Sequence, residues 1–366
     1  MELKKAMVAM SGGVDSSVAA LLMKEQGYQT MGITLKLYGN DDVGLSRGHT
    51  CCSLDDVEDA RAVAYRLGIP FYVFNFTERF QSEVICRFIR CYSEGGTPNP
   101  CIDCNRYIKF DALGQRMQEL GFDYVVTGHY ANVELDPVSG RYLLKKGLDT
   151  SKDQSYVLYH LTQEQLAHTL FPLGHLPKTQ VRALAEQYGF VNAHKHDSQD
   201  ICFVPDGDYS IFIERYSGRR FPEGNFVDGS GNILGRHQGI IRYTIGQRKG
   251  LGMASSEPLY VCGKQPEQNT VTVGPGSQLY SNSLIARDIN LISVASIERP
   301  LRVKAKIRYR QQEQWATVTQ TAEDELKVVF DEPQRAIAPG QAVVCYDGNV
   351  VVGGGTILIP ETDLFN

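Results

Sequence analysis

The chain has 366 residues, 42% of them hydrophobic, with 37 Lys and Arg against 42 Asp and Glu. That length predicts two or three domains, and a net charge of −5 leaves any nucleic-acid binding to local basic patches. With no run of eighteen apolar residues and no signal-peptide core, the chain reads as cytoplasmic and without a membrane; nine scattered cysteines exclude a secreted disulfide framework.

Residues 5–10 read as a strand and 16–26 as a helix ended by Gly27. Further strands are expected at 30–37, 71–76 and 124–127, and further helices at 54–67, 80–92 and 108–120. This alternation predicts a Rossmann-like, doubly wound parallel sheet over residues 1–206. Sites in such sheets lie beyond the strand C-termini, where both the SGGVDSS segment (11–17) and Gly128-His129 would sit. Residues 97–105 read as a proline-stiffened loop carrying Cys101-x-x-Cys104. Past residue 206, glycine-rich turns separate short strands such as 260–262 and 270–273, which predicts a small central domain over 207–285. Strands at 302–309, 315–320, 326–330 and 342–346, followed by 350–352, predict a C-terminal β-barrel over 286–366.

In SGGVDSS, Gly12 and Gly13 let the backbone approach an anion. Ser11, Ser16 and Ser17 add hydroxyls beside a helix N-terminus whose amides favour phosphate. The segment lacks the Gly-Lys-Ser/Thr ending of a kinase-type loop. It resembles the pyrophosphate loop (PP-loop) of ATP pyrophosphatases, which split ATP into AMP and pyrophosphate to activate an oxygen.

A lone Cys-x-x-Cys is half a zinc site, a redox pair or two ordinary thiols, and no convincing second pair completes a zinc site; His194 and His196 near Cys202 read as a polar turn. Cys51 and Cys52 read as incidental thiols on a glycine-containing flap. Cys86, Cys91, Cys262 and Cys345 read as small core hydrophobes.

The segment 301–310 alternates without interruption, so on a strand Arg302, Lys304, Lys306, Arg308 and Arg310 would share one face beside Tyr309. Such a stripe tracks phosphates, with Tyr309 able to stack a base; the alternative is a solvated outer face. Arg242, Arg248 and Lys249 would extend the basic surface.

Taken in order, SGGVDSS, TPNPCIDCNRYIKFDAL, TGHYA, GLDTSKDQSYVLYHL, DSQDICFV and YTIGQRKGLG, then KIRYRQ and PGQAVV, resemble the bacterial tRNA 2-thiouridylases. That family replaces the C2 oxygen of the wobble uridine with sulfur. The resemblance implies ATP and Mg²⁺ as cofactors. ATP would be bound by Ala9, Met10, Ser11, Gly12, Gly13, Val14, Asp15 and Ser16, with adenine near Leu35 and Gly128 and with Asp15 orienting Mg²⁺ or pyrophosphate. It implies Cys104 as the catalytic thiol, Cys202 as the persulfide carrier, and a transient Cys104–Cys202 disulfide. Asn99, Pro100 and Cys101 would surround the flipped base. His129, Lys152, Asp153, Gln154, Arg308, Tyr309 and Gln341 would contact the tRNA anticodon stem-loop. Sulfur would arrive from a relay protein or a cysteine desulfurase.

Many family members carry Asp where this chain has Cys101. Cys101, Cys104 and Cys202 could instead hold an iron–sulfur cluster with one open iron. Two rival readings are a PP-loop ligase adenylating a small carboxylate and a noncatalytic RNA-binding protein with a relic nucleotide loop.

Overall fold

In the computed structural model, residues 3–39, 54–196, 201–204 and 207–358 are described. The apolar runs of the first domain form β1 (Lys5–Ala9), β2 (Gln29–Lys36), β3 (Phe71–Asn75) and β4 (Tyr124–Val126). A hairpin, β5 (Ala131–Leu135) and β6 (Tyr142–Lys146), precedes the short β7 (Thr169–Leu170). The sheet runs β3-β2-β1-β4-β7, parallel throughout. β1 and β2 are almost wholly buried, as strands covered on both faces must be. One face packs the helices Val14–Glu25, Leu54–Leu67 and Lys178–Gln187. The other face builds a core shared with the two following domains. Strand order reverses between β1 and β4, so the crevice of this sheet opens beside the turn that follows β1.

The Cys-x-x-Cys segment differs from its expectation: it lies on a helix, not in a loop. Asn99 caps that helix by accepting from the Cys101 amide at 3.2 Å, and Pro100 occupies the first helical position. Helical structure then continues through Cys104–Ala112, in wide π-type turns, and Leu113–Glu119. The Asn-Pro pair that suggested a loop is a helix start.

The central domain comprises the helix Tyr209–Ser217, capped by Asp208, and β8 (Gly224–Val227), β9 (Ile233–His237), β10 (Tyr260–Gln265) and β11 (Thr270–Gly274). Its sheet order is β10-β11-β8-β9. The last domain contains β12 (Tyr280–Leu291), β13 (Leu301–Lys306), β14 (Gln314–Ala322), β15 (Glu325–Arg335), β16 (Ala342–Asp347) and β17 (Val350–Ile357). A β12–β17 pairing closes these six into a barrel filled by Val303, Ala305, Val318, Val328, Phe330 and Val343.

The barrel is bolted to the first domain. β6 meets β17 at Lys145 and Val350. Asn290 donates to the carbonyls of Tyr159 (2.7 Å) and Leu161 (2.9 Å), and the Tyr156 hydroxyl donates to the Ala342 carbonyl at 2.8 Å. Arg141 donates to the Leu291 and Ile292 carbonyls at 3.2 and 2.8 Å. Among the described helices none is long and apolar enough to cross a membrane.

Candidate active site and nucleic-acid interface

The chain leaves β1 into the Ser11-Gly12-Gly13 turn. Gly12 has φ +74°, and a Cβ there would lie 2.4 Å from the Asp56 carbonyl oxygen, so glycine alone fits. Gly13 is extended and precedes the helix Val14–Glu25 with no side chain capping it, which leaves first-turn amides for an anion. The Ser16 hydroxyl accepts from the Ser11 amide (3.2 Å) and donates to the Gly13 carbonyl (3.1 Å), as Ser17 also does at 3.0 Å. Gly128, leaving β4, abuts the same turn: a Cβ there would stand 2.7 Å from Asp15 C and Ser16 N. Leu35 is buried on β2, and Ala9, Met10 and Val14 are packed into the sheet and its helix.

Three residues that the sequence did not single out complete this loop. Lys178 Nζ contacts both Asp15 oxygens, at 2.7 and 2.8 Å, and the Tyr130 hydroxyl donates to Asp15 Oδ1 at 2.8 Å. Asn192 Nδ2 donates to the Gly12 carbonyl and the Ser17 hydroxyl, both at 2.9 Å. A lysine after a proline and an asparagine in a turn carry no motif; only the tertiary contacts mark them.

The thiols approach from two distant segments. Cys101 is exposed and Cys104 half-buried on the helix that starts at Pro100. Cys202 is half-buried, and both Cys104 and Cys202 pack against the shared core. Phe203 wedges edge-on between Phe80 and Phe88 at 5.7 and 5.2 Å, and Tyr38, just past β2, donates to the Cys202 carbonyl at 2.7 Å. Upstream, Lys195 pairs with Asp56 (2.5 Å) and Asp59 (2.7 Å). Cys86, Cys91, Cys262 and Cys345 form no disulfide. Among the described residues no three His, Cys, Asp or Glu side chains are grouped closely enough to hold a metal ion. Cys51, Cys52 and residues 197–200 lie outside the described residues. Of the cysteines expected to be core hydrophobes, Cys345 is buried and Cys91 largely so, burial pushing both thiols up to about 12. Cys262 is half-buried, whereas Cys86 is exposed because its helix turns that position to solvent.

The expected RNA contacts divide. Tyr309 is half-buried, its ring 6.0 Å from that of Tyr156; burial raises its phenol, and the nearby Asp153 adds to the upward push. Asp153 also accepts from Gly147 N (3.1 Å) and from the Ser155 amide and hydroxyl. Gln154 Oε1 accepts from Tyr130 N at 3.0 Å, and Lys152 is half-buried in the same turn. Gln341 Nε2 donates to the Thr97 carbonyl at 2.7 Å, pinning the approach to Asn99, Pro100 and Cys101.

Two of these residues are tied into the protein interior. His129 is 7% exposed, hydrogen-bonded to Thr127 at 2.6 Å between the rings of Phe110 and Phe171. Burial, then Lys109, hold it well below the usual histidine range, so in this conformation it is a neutral core residue. Arg308 is not on the outer stripe, because β13 ends at Lys306 and the chain turns. Its guanidinium instead donates to the carbonyls of Ile245 (3.2 Å) and Ala336 (2.9 Å), joining the central domain to the barrel. Of the remaining stripe, Arg302 makes a two-pronged ion pair with Asp331. Lys304 lies 5.3 Å from the half-exposed Trp315 ring, and Lys306 lies 5.9 Å from the Tyr156 ring. Val303, Ala305 and Ile307 face the barrel core as the alternation required.

A family model described as the tRNA methyl transferase HUP domain matches residues 4–206; a PRC-barrel model of that series matches 210–275, and an aminomethyltransferase β-barrel model matches 281–357. The tRNA-specific 2-thiouridylase MnmA of Clostridioides difficile is 54% identical over 97% of this chain and 98% of its own. That of Acetivibrio thermocellus is 52% identical over 98% of this chain and 100% of its own. The chain belongs to the tRNA-specific 2-thiouridylase family. Among solved structures, a 4-thiouridine synthetase–RNA complex with bound ATP is similar at a TM-score of 0.37 and 21% identity, covering 58% of this chain and 50% of that one. Family membership removes the carboxylate-ligase reading, since these relatives are thiouridylases along their full length.

Proposed function

We propose that the protein is a tRNA sulfurtransferase that uses ATP to replace the C2 oxygen of the wobble uridine with sulfur. The observation that carries the reading is that the Cys104 and Cys202 segments, far apart in sequence, pack against one core, in a domain whose SGGVDS turn is shaped for an anion. The pocket for the base would lie where Cys101, Asp153 and Tyr309 approach one another; Tyr309 offers a ring to stack on, and Asn99 and Pro100 hold the helix start beside it.

A uracil C2 carbonyl has no leaving group of its own. Attack of its oxygen on the α-phosphorus of ATP forms an O–P bond, expels pyrophosphate and makes AMP the leaving group. The terminal sulfur of a Cys202 persulfide then attacks C2 and AMP departs. Cys104 thiolate attacks the Cys202 sulfur, which releases 2-thiouridine and leaves a Cys104–Cys202 disulfide for a thiol reductant to reopen. Release of free hydrosulfide by the same pair would give the same products. The sulfur would be loaded by a cysteine desulfurase or a relay protein. Asp15, held by Lys178 and Tyr130, would meet the Mg²⁺ that accompanies the nucleotide.

The test is reconstitution with unmodified tRNA, ATP, cysteine and a cysteine desulfurase, followed by nucleoside analysis. One AMP per 2-thiouridine is expected. No tRNA-stimulated AMP in the presence of the sulfur donor would leave only an RNA-binding protein.

A further inference from the structure

Lys178 is 8% exposed, yet its ammonium ends at the nucleotide turn, in contact with both oxygens of Asp15. Its placement is tightly determined. The residue starts the helix Lys178–Gln187 after Pro177, its amide donates to Asp149 Oδ2 at 3.0 Å, and its ammonium lies 5.9 Å from the Tyr130 ring. Asp15 is more open, with 31% of its side chain exposed, so the pair is closed behind the lysine and accessible at the carboxylate. Among the described ion pairs, this is the one made to a residue of the SGGVDSS segment; Lys195 is committed to Asp56 and Asp59.

A carboxylate in the first turn of a phosphate-binding helix presents an electrostatic conflict, since it repels the triphosphate that the amides attract. A compact ammonium within reach of both resolves it. We propose that Lys178 is a phosphate-binding catalytic residue: when ATP enters, its ammonium moves from Asp15 to the β- and γ-phosphates, and Asp15 is left open to the cation that accompanies the nucleotide. When the uridine oxygen attacks, the bond between the α-phosphorus and the bridging oxygen breaks. Its electron pair passes to pyrophosphate, and Lys178 neutralises that charge without giving up a proton. Tyr130 keeps its hydrogen bond to Asp15 throughout, so the carboxylate stays in place after the lysine leaves.

The inference rests on the ATP reading, and the experiment separates the two. ATP and AMP are titrated calorimetrically, in EDTA and again with Mg²⁺, into the full-length wild type, Lys178→Gln, Lys178→Arg and Asp15→Asn. Losing a charge-assisted contact to the outer phosphates should weaken ATP in Lys178→Gln by about tenfold or more. AMP, which lacks those phosphates, should change by less than about twofold. Lys178→Arg should recover part of the ATP affinity, and Asp15→Asn, which removes the charge that competes with the phosphates for the lysine, should bind ATP in EDTA at least as tightly as wild type. Equal losses for ATP and AMP would make Lys178 a brace for the loop and overturn the proposal. An unchanged ATP-to-AMP ratio would overturn it too. If Lys178→Gln does not fold, weakened ATP binding by Asp15→Asn in EDTA overturns it. A wild type that binds neither nucleotide defeats the ATP reading itself.

Discussion

Asp103 sits between the two cysteines of the helix that begins at Pro100, and its carboxyl is pushed up from 3.8 to about 7. Burial is the dominant cause; it outweighs the guanidiniums of Arg87 and Arg106, and Asp288 and Glu83 add to the upward push. A folded-state value above the unfolded one means that the native protein binds the proton more tightly. Stability therefore falls as pH rises from about 4 to about 7, and the full cost is present above that window. A shift of about three units corresponds to ~4 kcal/mol at most, and relaxation around the charge would leave ~2 kcal/mol. Asp103→Asn keeps the shape and removes the ionisation. Since ~1 kcal/mol moves the midpoint of a domain of this size by about 2–4 °C, the variant should melt roughly 4–8 °C above wild type at pH 8. At pH 5, where the folded carboxyl is mostly protonated, the gain should shrink to about a third of that. Thermal melts of both proteins between pH 5 and pH 8 measure it. A gain of equal size at both ends would refute the reasoning, because the effect would then not come from ionisation; so would a lower midpoint at pH 8.

Cys104→Ser and Cys202→Ser should each abolish 2-thiouridine formation while tRNA binding stays within about twofold, because serine keeps the size but carries no persulfide; thiolation at the wild-type rate would remove that cysteine's role. Gly13→Ala should fold normally, since its Cβ would meet nothing closer than Ser11 Oγ at 3.5 Å, yet weaken ATP binding. Gly12→Ala should lower the melting temperature outright, through φ +74° and the 2.4 Å approach to Asp56. Lys304→Gln with Lys306→Gln should flatten the dependence of log K for tRNA on log salt by roughly 1.4–1.8 if both reach phosphates; an unchanged slope would make the stripe a solvated face. Arg308→Gln should leave that slope alone and loosen the joint to Ile245 and Ala336, visible as faster amide exchange there.

Local pattern carried the first domain a long way. Apolar runs of five to eight residues alternating with helical periods specify a parallel sheet, because strands buried on both faces need no polar partner of their own. The same logic placed Val303, Ala305 and Ile307 inside the barrel, since alternation of period two obliges one face to be apolar. The SGGVDS turn was legible because a positive-φ glycine and a helix start leave a chemical signature. The strand–helix alternation carries no sign of the hairpin β5–β6, whose turn Asp136 shapes, and Asn99-Pro100 reads as a loop where the chain forms a helix cap.

What only the tertiary structure decided is which side chains meet. Lys178 reaches Asp15 across 163 positions, and Gln341 reaches Thr97 across 244. Such pairs depend on the shape of the packed domains, to which a single strand or helix is blind. Arg308 continues a basic alternation, but β13 ends at Lys306, and one turn sends its guanidinium inward to carbonyls that would otherwise lose their water. His129 follows a strand just where a site should be, and its burial among aromatic rings, which keeps it neutral, is set by the packed domain. Periodicity encodes which face is apolar; what a polar side chain does there depends on the partners that folding brings to it.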